Sequence, residues 1–424
     1  MENATTLSGK KPAAESDSPI PVLFFIFQTG NQANGGVESI TQVIEGIQQV
    51  QPVVVTQRET PVNDRWRRAG AEVHVWSFSG LRRSGNVAET PGPNRWQQGA
   101  AVLRGNAAAY RLTRARRLPV VHCNDIRALW YAGWGAKAAG ARLVFNVRDV
   151  KPPGESYDWK WRAATQLSDR ILGLSQEMRE ALAQRLPPPF VFGSASRPPV
   201  DYIYSIVDFE KMKPAGEEQR AALRRHVGLS PGEVALAYVA TFNEKKAQLR
   251  FIEKAGPQLH DRLPQATVYF IGDFRPEQDE YARRCRDAVH RLNLDDLFTF
   301  VGYSERVADW YRASDSVVLA SRREGMARCM IEGLACGTPV VSFDVCSARE
   351  ILEAHGCGRV VAQGAYEQLV GEMVRLAEAT EEQRARMGRK GAQVARQHFG
   401  ADQVTAQYET LYRKVGSNHF DRNA

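Results

Sequence analysis

The chain has 424 residues, of which 43% are hydrophobic and 25% charged, and a formal net charge of +8. That length suggests two or three domains, with enough apolar material for buried cores. Val22 to Phe27, the longest apolar stretch near the start, is far too short to span a bilayer. An integral membrane protein, a disordered chain and a small disulfide scaffold are therefore excluded, and the positive charge is left to be explained.

Residues 1–18 are polar, lack the apolar core of an export signal, and read as the flexible tail of a cytoplasmic protein. Six scattered cysteines without a C-x-x-C pair read as reduced thiols, and no metal site is expected. Pro21–Phe27 has the continuous apolar character of a strand buried on both faces of a parallel sheet. A loop rich in Gly and Asn, Thr29 to Gly36, leads into a helical pattern from Val37 to Val50. Strand-like segments at Val53–Thr56, Glu72–Trp76, Val120–His122, Arg142–Asn146 and Arg170–Leu174 alternate with helical ones such as Gln97–Arg117 and Ile126–Ala139. Residues 208–232, with Lys213-Pro214-Ala215-Gly216, a short charged helix and Ser230-Pro231-Gly232, read as a linker. The rhythm restarts with Val234–Thr241, Ala266–Gly272, Phe298–Val301, Ser316–Ala320, Thr338–Ser342 and Gly358–Val361. The fold class is α/β: two Rossmann-like, doubly wound domains, residues 19–207 and 233–395, facing across a cleft.

Chemistry concentrates in Ser321 to Glu350. A strand ending at Ala320 enters a short polar loop, and a helix is predicted to begin near Met326, leaving the amides of Met326, Ala327 and Arg328 free to meet an anion. Glu324 precedes that helix and Glu332 lies two turns inside it. Carboxylates accept hydrogen bonds from adjacent sugar hydroxyls, although Glu324 alone could equally serve the helix dipole. Glu332, flanked by Ile331, Gly333, Leu334 and Ala335, must be buried and so needs partners.

Glu324 and Glu332 with the run Gly333 to Val341 resemble the E-x7-E donor signature of the family 4 retaining glycosyltransferases, which have the GT-B fold. The resemblance extends from about Pro21 to Val415. It includes Gly35-Gly36-Val37-Glu38, the strand Val120 to Asp125 with His122, the turn Tyr204 to Asp208, Ile271-Gly272-Asp273, and YETLY at Tyr408–Tyr412, similar to a final helix that returns (396–418) to the first domain. It implies transfer of a sugar from a nucleotide-diphosphate donor to a glycan or lipid-linked acceptor, as in cell-surface polysaccharide or lipopolysaccharide synthesis, with no metal or other cofactor. On this resemblance Glu332 holds the nucleotide ribose, and Glu324 with Gly325, Met326 and Ala327 holds the donor sugar. Lys246 and Arg328 meet the diphosphate, and Gly35 and Gly36 approach it from the first domain. His122 stands near the transferring sugar, though a strand-end histidine with a local hydrogen bond is the plainer alternative. Val301, Gly302 and Tyr303 are placed by the nucleotide base, and Asn124, Arg148 and Asp149 on the acceptor side.

The sequence also departs from the family pattern. Thr241 stands where an arginine is usual, so a diphosphate partner is missing unless Lys245, Arg322, Arg323 or Arg328 replaces it. Asn124 occupies the place of a second histidine, and Asn146-Val147-Arg148-Asp149 replaces T-x-H-D. The alternative reading is a catalytically impaired nucleotide-binding or scaffold component of a glycan assembly complex.

Gly133-Trp134-Gly135-Ala136-Lys137-Ala138 fits G-x-G-x-x-A but lies within a helical stretch, so it fails as a dinucleotide fingerprint. Arg95 to Arg117 carries six arginines and no acid, alongside Trp96, Leu103 and Tyr110. That composition suits either a helix lying on an anionic membrane surface or a solvated basic face. Nucleic acid is not expected as a partner.

Overall fold

The computed structural model describes residues 18–28, 35–76, 95–151, 154–188 and 197–420. The tail predicted for residues 1–18, most of the loop before Gly35, and Arg82-Arg83 lie outside the described residues, Ser18 excepted.

The first sheet contains β1 (Ile20–Phe25), β2 (Val50–Thr56), β3 (Glu72–Val75), β4 (Val120–Cys123), β5 (Arg142–Asn146), β6 (Arg170–Gly173) and β7 (Val200–Tyr202). Its order is β3-β2-β1-β4-β5-β6-β7, with every pairing parallel. The second contains β8 (Val234–Val239), β9 (Ala266–Ile271), β10 (Phe298–Gly302), β11 (Ser316–Leu319), β12 (Val340–Phe343) and β13 (Gly358–Val361). Its order is β10-β9-β8-β11-β12-β13, again parallel throughout.

Both sheets are buried on two faces at their centres because strands such as β1, β8 and β11 carry almost only apolar residues. In β1, Leu23 and Phe25 enter one helical layer while Val22 and Phe24 enter the other, the two-residue period of a strand. Each sheet reverses its winding once, between β1 and β4 and between β8 and β11. Crevices open at the carboxyl ends of the strands flanking such a reversal, which fixes where ligands enter.

Two features go beyond the sequence reading. β7 is an additional edge strand, only three residues long and half-buried, too short to produce an apolar run. The helix inside the segment read as a linker, Glu217–His226, packs on the second domain: Arg220 and Arg224 reach Asp315 at 2.8 and 3.2 Å, and Leu223 and Val227 cover a small apolar cluster there. The last helix, Ala401–Phe420, crosses back to lie on helix Gly35–Gly46 and the first sheet, with Tyr408 and Tyr412 fully buried.

The Gly133-x-Gly135 pattern marks a helix crossing. A Cβ on Gly135 would come within 1.9 Å of the Asn106 carbonyl oxygen, and the Asn106 side chain accepts the Gly135 amide at 2.9 Å. The six cysteines are free, five of them buried.

Candidate active site between the two domains

The two crevices face one another and enclose a cavity of about 340 Å³, lined from the first domain by Gly35, Gly36, Asn124, Arg127 and Arg148, among others, and from the second by Lys245, Lys246, Glu324, Gly325, Met326 and Arg328. The domains meet closely here. A Cβ on Gly325 would lie 2.2 Å from the Arg148 carbonyl oxygen, so only glycine lets the loop after β11 lie against the loop after β5. One on Gly35 would sit 3.4 Å from the Arg328 side chain.

Lys246 follows β8 in a tight turn. Its amide bonds to both the carbonyl and the Oδ1 of Asn243, each at 3.0 Å, and its carbonyl accepts the Tyr238 hydroxyl. The next residue, Ala247, adopts the left-handed conformation with φ +61°, unusual for a residue with a Cβ. The turn projects the Lys246 ammonium to 2.6 Å from Glu324 Oε1. Lys245 approaches Glu324 Oε2 at 3.9 Å. Burial opposes ionisation of Glu324, yet Lys246 and Lys245 together hold its pKa below the usual carboxylate value. Lys246 is likewise kept charged: burial works against it and Glu324 outweighs burial.

Glu332 lies on helix Arg328–Ala335, one turn beyond Arg328. Arg328 donates to Glu332 Oε1 at 2.7 Å and 3.0 Å and to Gln42 of the first domain at 3.0 Å. The buried Tyr311 hydroxyl donates to Glu332 Oε2 at 3.0 Å. This helix starts at Arg328, two residues later than expected, because Ala327 is extended (φ −74°, ψ 114°). The first-turn amides are thus those of Arg328 and Cys329, while the Met330 amide bonds back to the Ala327 carbonyl.

His122 requires a correction. It was placed at the cleft, but it is 0% exposed and sits among the rings of Phe24, Tyr408 and Tyr412. Its Nδ1 is 3.0 Å from the Tyr412 hydroxyl. Burial and the charge of Arg148 push its pKa down to about 3, so it stays neutral near pH 7. The reason is its position along the strand: His122 lies inside β4, under the layer formed by helices Gly35–Gly46 and Ala401–Phe420. Asn124, two residues on and facing the same way beyond the strand end, is the side chain that reaches the cavity.

Asp149 lies at the domain junction, where it takes Lys245 at 2.9 Å and Arg323 at 3.4 Å from the second domain. Val301, Gly302 and Tyr303 lie at the outer strand β10, away from the cavity lining, with Tyr303 exposed. A second clasp escaped the sequence reading: Glu350 accepts the amides of Gln176 and Glu177 at 3.1 and 2.8 Å, and Glu177 accepts the Ser347 amide at 2.8 Å. Thr241 holds Asn243 at 3.0 Å through its hydroxyl. Among the described residues, no three His, Cys, Asp or Glu side chains converge as a metal site.

Two parallel, doubly wound domains meeting at their switch points define the GT-B fold. Among solved structures, Anabaena Alr3699/HepE in complex with UDP and glucose superposes with a TM-score of 0.72 at 20% identity, over 92% of this chain and 98% of that one. Sucrose-phosphate synthase of Thermosynechococcus elongatus gives 0.74 at 17% identity, over 94% and 100%. Residues 63–191 match the family model for Glycosyltransferase Family 4, and residues 233–379 that for Glycosyl transferases group 1. The chain belongs to this family of glycosyltransferases. D-inositol 3-phosphate glycosyltransferase of Kribbella flavida is 31% identical over 188 residues, 42% of this chain and 41% of its own. N-acetyl-alpha-D-glucosaminyl L-malate synthase of Bacillus anthracis is 24% identical over 193 residues, 46% and 49%. The matched region thus spans under half the length of these relatives.

Proposed function

We propose that the protein transfers a sugar from a nucleotide-diphosphate donor to a glycan or lipid-linked acceptor, with retention at the anomeric carbon and without a metal ion. The observation that carries this reading is the pair of buried Glu324 and half-buried Lys246, 2.6 Å apart, standing in the cavity beside the start of helix Arg328–Ala335. A leaving diphosphate needs fixed positive charge in a dry site. Lys246, Arg328 and the first amides of that helix supply it, and Glu324 accepts from donor-sugar hydroxyls. Arg328 shields Glu332; turning it toward the diphosphate frees that carboxylate for the ribose. In the reaction the acceptor oxygen bonds to the anomeric carbon on the face from which the phosphate departs, and the leaving phosphate oxygen takes the acceptor proton. His122 takes no part. The binding of UDP and of UDP-glucose by Alr3699/HepE supports a uridine donor.

The test is calorimetry with UDP and GDP, followed by a donor-hydrolysis assay. Failure of either nucleotide to bind at millimolar concentration would sink the transferase reading. Nucleotide binding with no turnover on any acceptor would favour the scaffold alternative raised by Thr241.

A second proposal concerns location. Trp96 and Leu103, 88% and 73% exposed, share with Tyr110 a seven-residue spacing on helix Arg95–Arg116, which places all three on one stripe. Arg104, Arg111, Arg114 and Arg116 accompany them. Among the described residues no helix is long and apolar enough to cross a membrane. The stripe suits peripheral binding to an anionic bilayer, the arginines meeting headgroups and the tryptophan entering the interface. Vesicles containing phosphatidylserine should retain the protein and pure phosphatidylcholine vesicles should not, with Trp96→Ser/Leu103→Ser weakening retention at least tenfold.

A further inference from the structure

The first-domain wall of the cavity contains polar groups that the scheme above leaves unused. Asn124 lines the cavity at the carboxyl end of β4, and Asn146, fully buried at the carboxyl end of β5 outside the lining, lies on the same sheet face, the one shared with His122. Asn124 Oδ1 and both side-chain polar atoms of Asn146 have no protein partner. Just past Asn146 comes Arg148, which lines the cavity and whose Nη1 is enclosed without a partner. Among the described residues no carboxylate forms an ion pair with this guanidinium. Asp125, which acts on it from further away, is taken up by Arg127 at 2.6 Å and by the amide of Ala128 at 2.8 Å.

Buried polar groups are normally satisfied, and an enclosed cation without a counter-ion is costly. A fold that keeps an unpaired guanidinium on the cavity wall, with the unsatisfied Asn124 amide on that same wall, is arranged for a planar anion taken bidentately. We propose that Arg148, with Asn124 and Asn146, is the anion subsite of the acceptor: the acceptor carries a phosphomonoester or carboxylate that docks on this guanidinium. This rests on the transferase reading and adds the acceptor's chemical class to it. The donor diphosphate is the other anion that enters the cavity, but its charge is met from the second domain by Lys246 and Arg328, whereas Arg148 extends from β5 of the first.

The test is calorimetry on the full chain saturated with UDP. Inorganic phosphate and L-malate serve as the two anionic probes and methyl glucoside as the neutral one. One of the anions should bind at least tenfold more tightly than methyl glucoside. Arg148→Gln should weaken that anion at least tenfold, leave UDP affinity within twofold, and raise the melting temperature by about 2–4 °C as the unpaired charge goes. Arg148→Lys, keeping charge without the fork, should fall between. The proposal is overturned if UDP binds but neither anion does. It is also overturned if Arg148→Gln costs UDP as much affinity as it costs the anion, or if it lowers the melting temperature. If UDP itself does not bind, the donor reading fails separately, and the anion titrations without UDP still decide this one.

Discussion

The two walls of the interdomain cavity differ in how their polar groups are satisfied. On the second-domain wall every charge has a partner: Glu324 with Lys246, Glu332 with Arg328 and Tyr311, Lys245 with Asp149. On the first-domain side Asn124 and Arg148 in the lining, and Asn146 buried on the same sheet face as Asn124, retain buried atoms without a partner among the described residues. The paired wall stores its charges against each other and must exchange partners when a ligand arrives. The unpaired wall carries its desolvation cost already and regains it on binding. Substitutions should therefore act with opposite sign on the two sides.

The largest effect belongs to the paired wall. Glu324→Ala leaves Lys246 enclosed without its counter-ion and should cost about 3–5 kcal/mol in urea unfolding. Sugar transfer should fall on the order of 10²-fold or more. Adding Lys246→Met should recover most of the stability and none of the activity. An unchanged urea midpoint for Glu324→Ala would show that the pair is not held dry, and the contrast between the walls would lose its basis.

How far the sequence could reveal this contrast depends on the range of the contacts involved. Parallel strands buried on both faces announce themselves as apolar runs, so twelve of the strands that build the two sheets could be read before the topology was known; β7 could not. Glu332 on an apolar helix demanded a partner, and the four-residue spacing to Arg328 was there to supply it. The strand end was harder. His122 and Asn124 share one strand face, and which of them reaches the cleft depends on how far the covering layer extends, a layer that includes a helix 290 residues away in sequence. The Glu350 clasp and the closeness of Gly325 to Arg148 are likewise contacts between distant loops, for which local spacing carries no signal.

Acid sharpens the comparison next. His122 lies directly beneath the unpaired wall, and its folded pKa of about 3 is below the 6.5 of an unperturbed histidine. Between those values the unfolded chain binds a proton that the folded chain refuses, so stability falls as pH falls, by at most about 1.4 kcal/mol per unit. Glu324, whose folded pKa is lowered, contributes stability above pH 4.5 that is lost only as pH drops through its folded value. Melting curves from pH 7 to 5 should show a steeper decline for wild type than for His122→Gln. That difference also removes the background from His398, whose pKa burial and the neighbouring His355 likewise lower. Parallel slopes would mean that His122 is reached by water.

Asn146→Leu tests the sign on the unpaired wall. Replacing an unsatisfied buried amide by an apolar group of similar volume should stabilise the fold by about 1 kcal/mol, while acceptor use declines. Destabilisation here would place a bound water or a structural partner on Asn146 and would make the two walls alike.

The smallest effect separates pairing from the strain that produces it. Ala247 holds a left-handed backbone at a cost of about 1–2 kcal/mol, and the turn it closes is what delivers Lys246 to Glu324. Glycine adopts φ +61° freely but brings about 0.4–1 kcal/mol of extra chain entropy to lose on folding. Ala247→Gly should therefore change stability by between zero and about 1.6 kcal/mol, in the stabilising direction. If the strain serves to fix the ammonium, the same variant should lose several-fold in kcat with KM for the donor nearly constant, because the pair persists in the ground state but is less firmly aimed. A variant equal to wild type in kcat would assign the positioning of Lys246 to the Asn243 turn and the Tyr238 hydroxyl alone, and the paired wall would then owe its order to hydrogen bonds rather than to backbone strain.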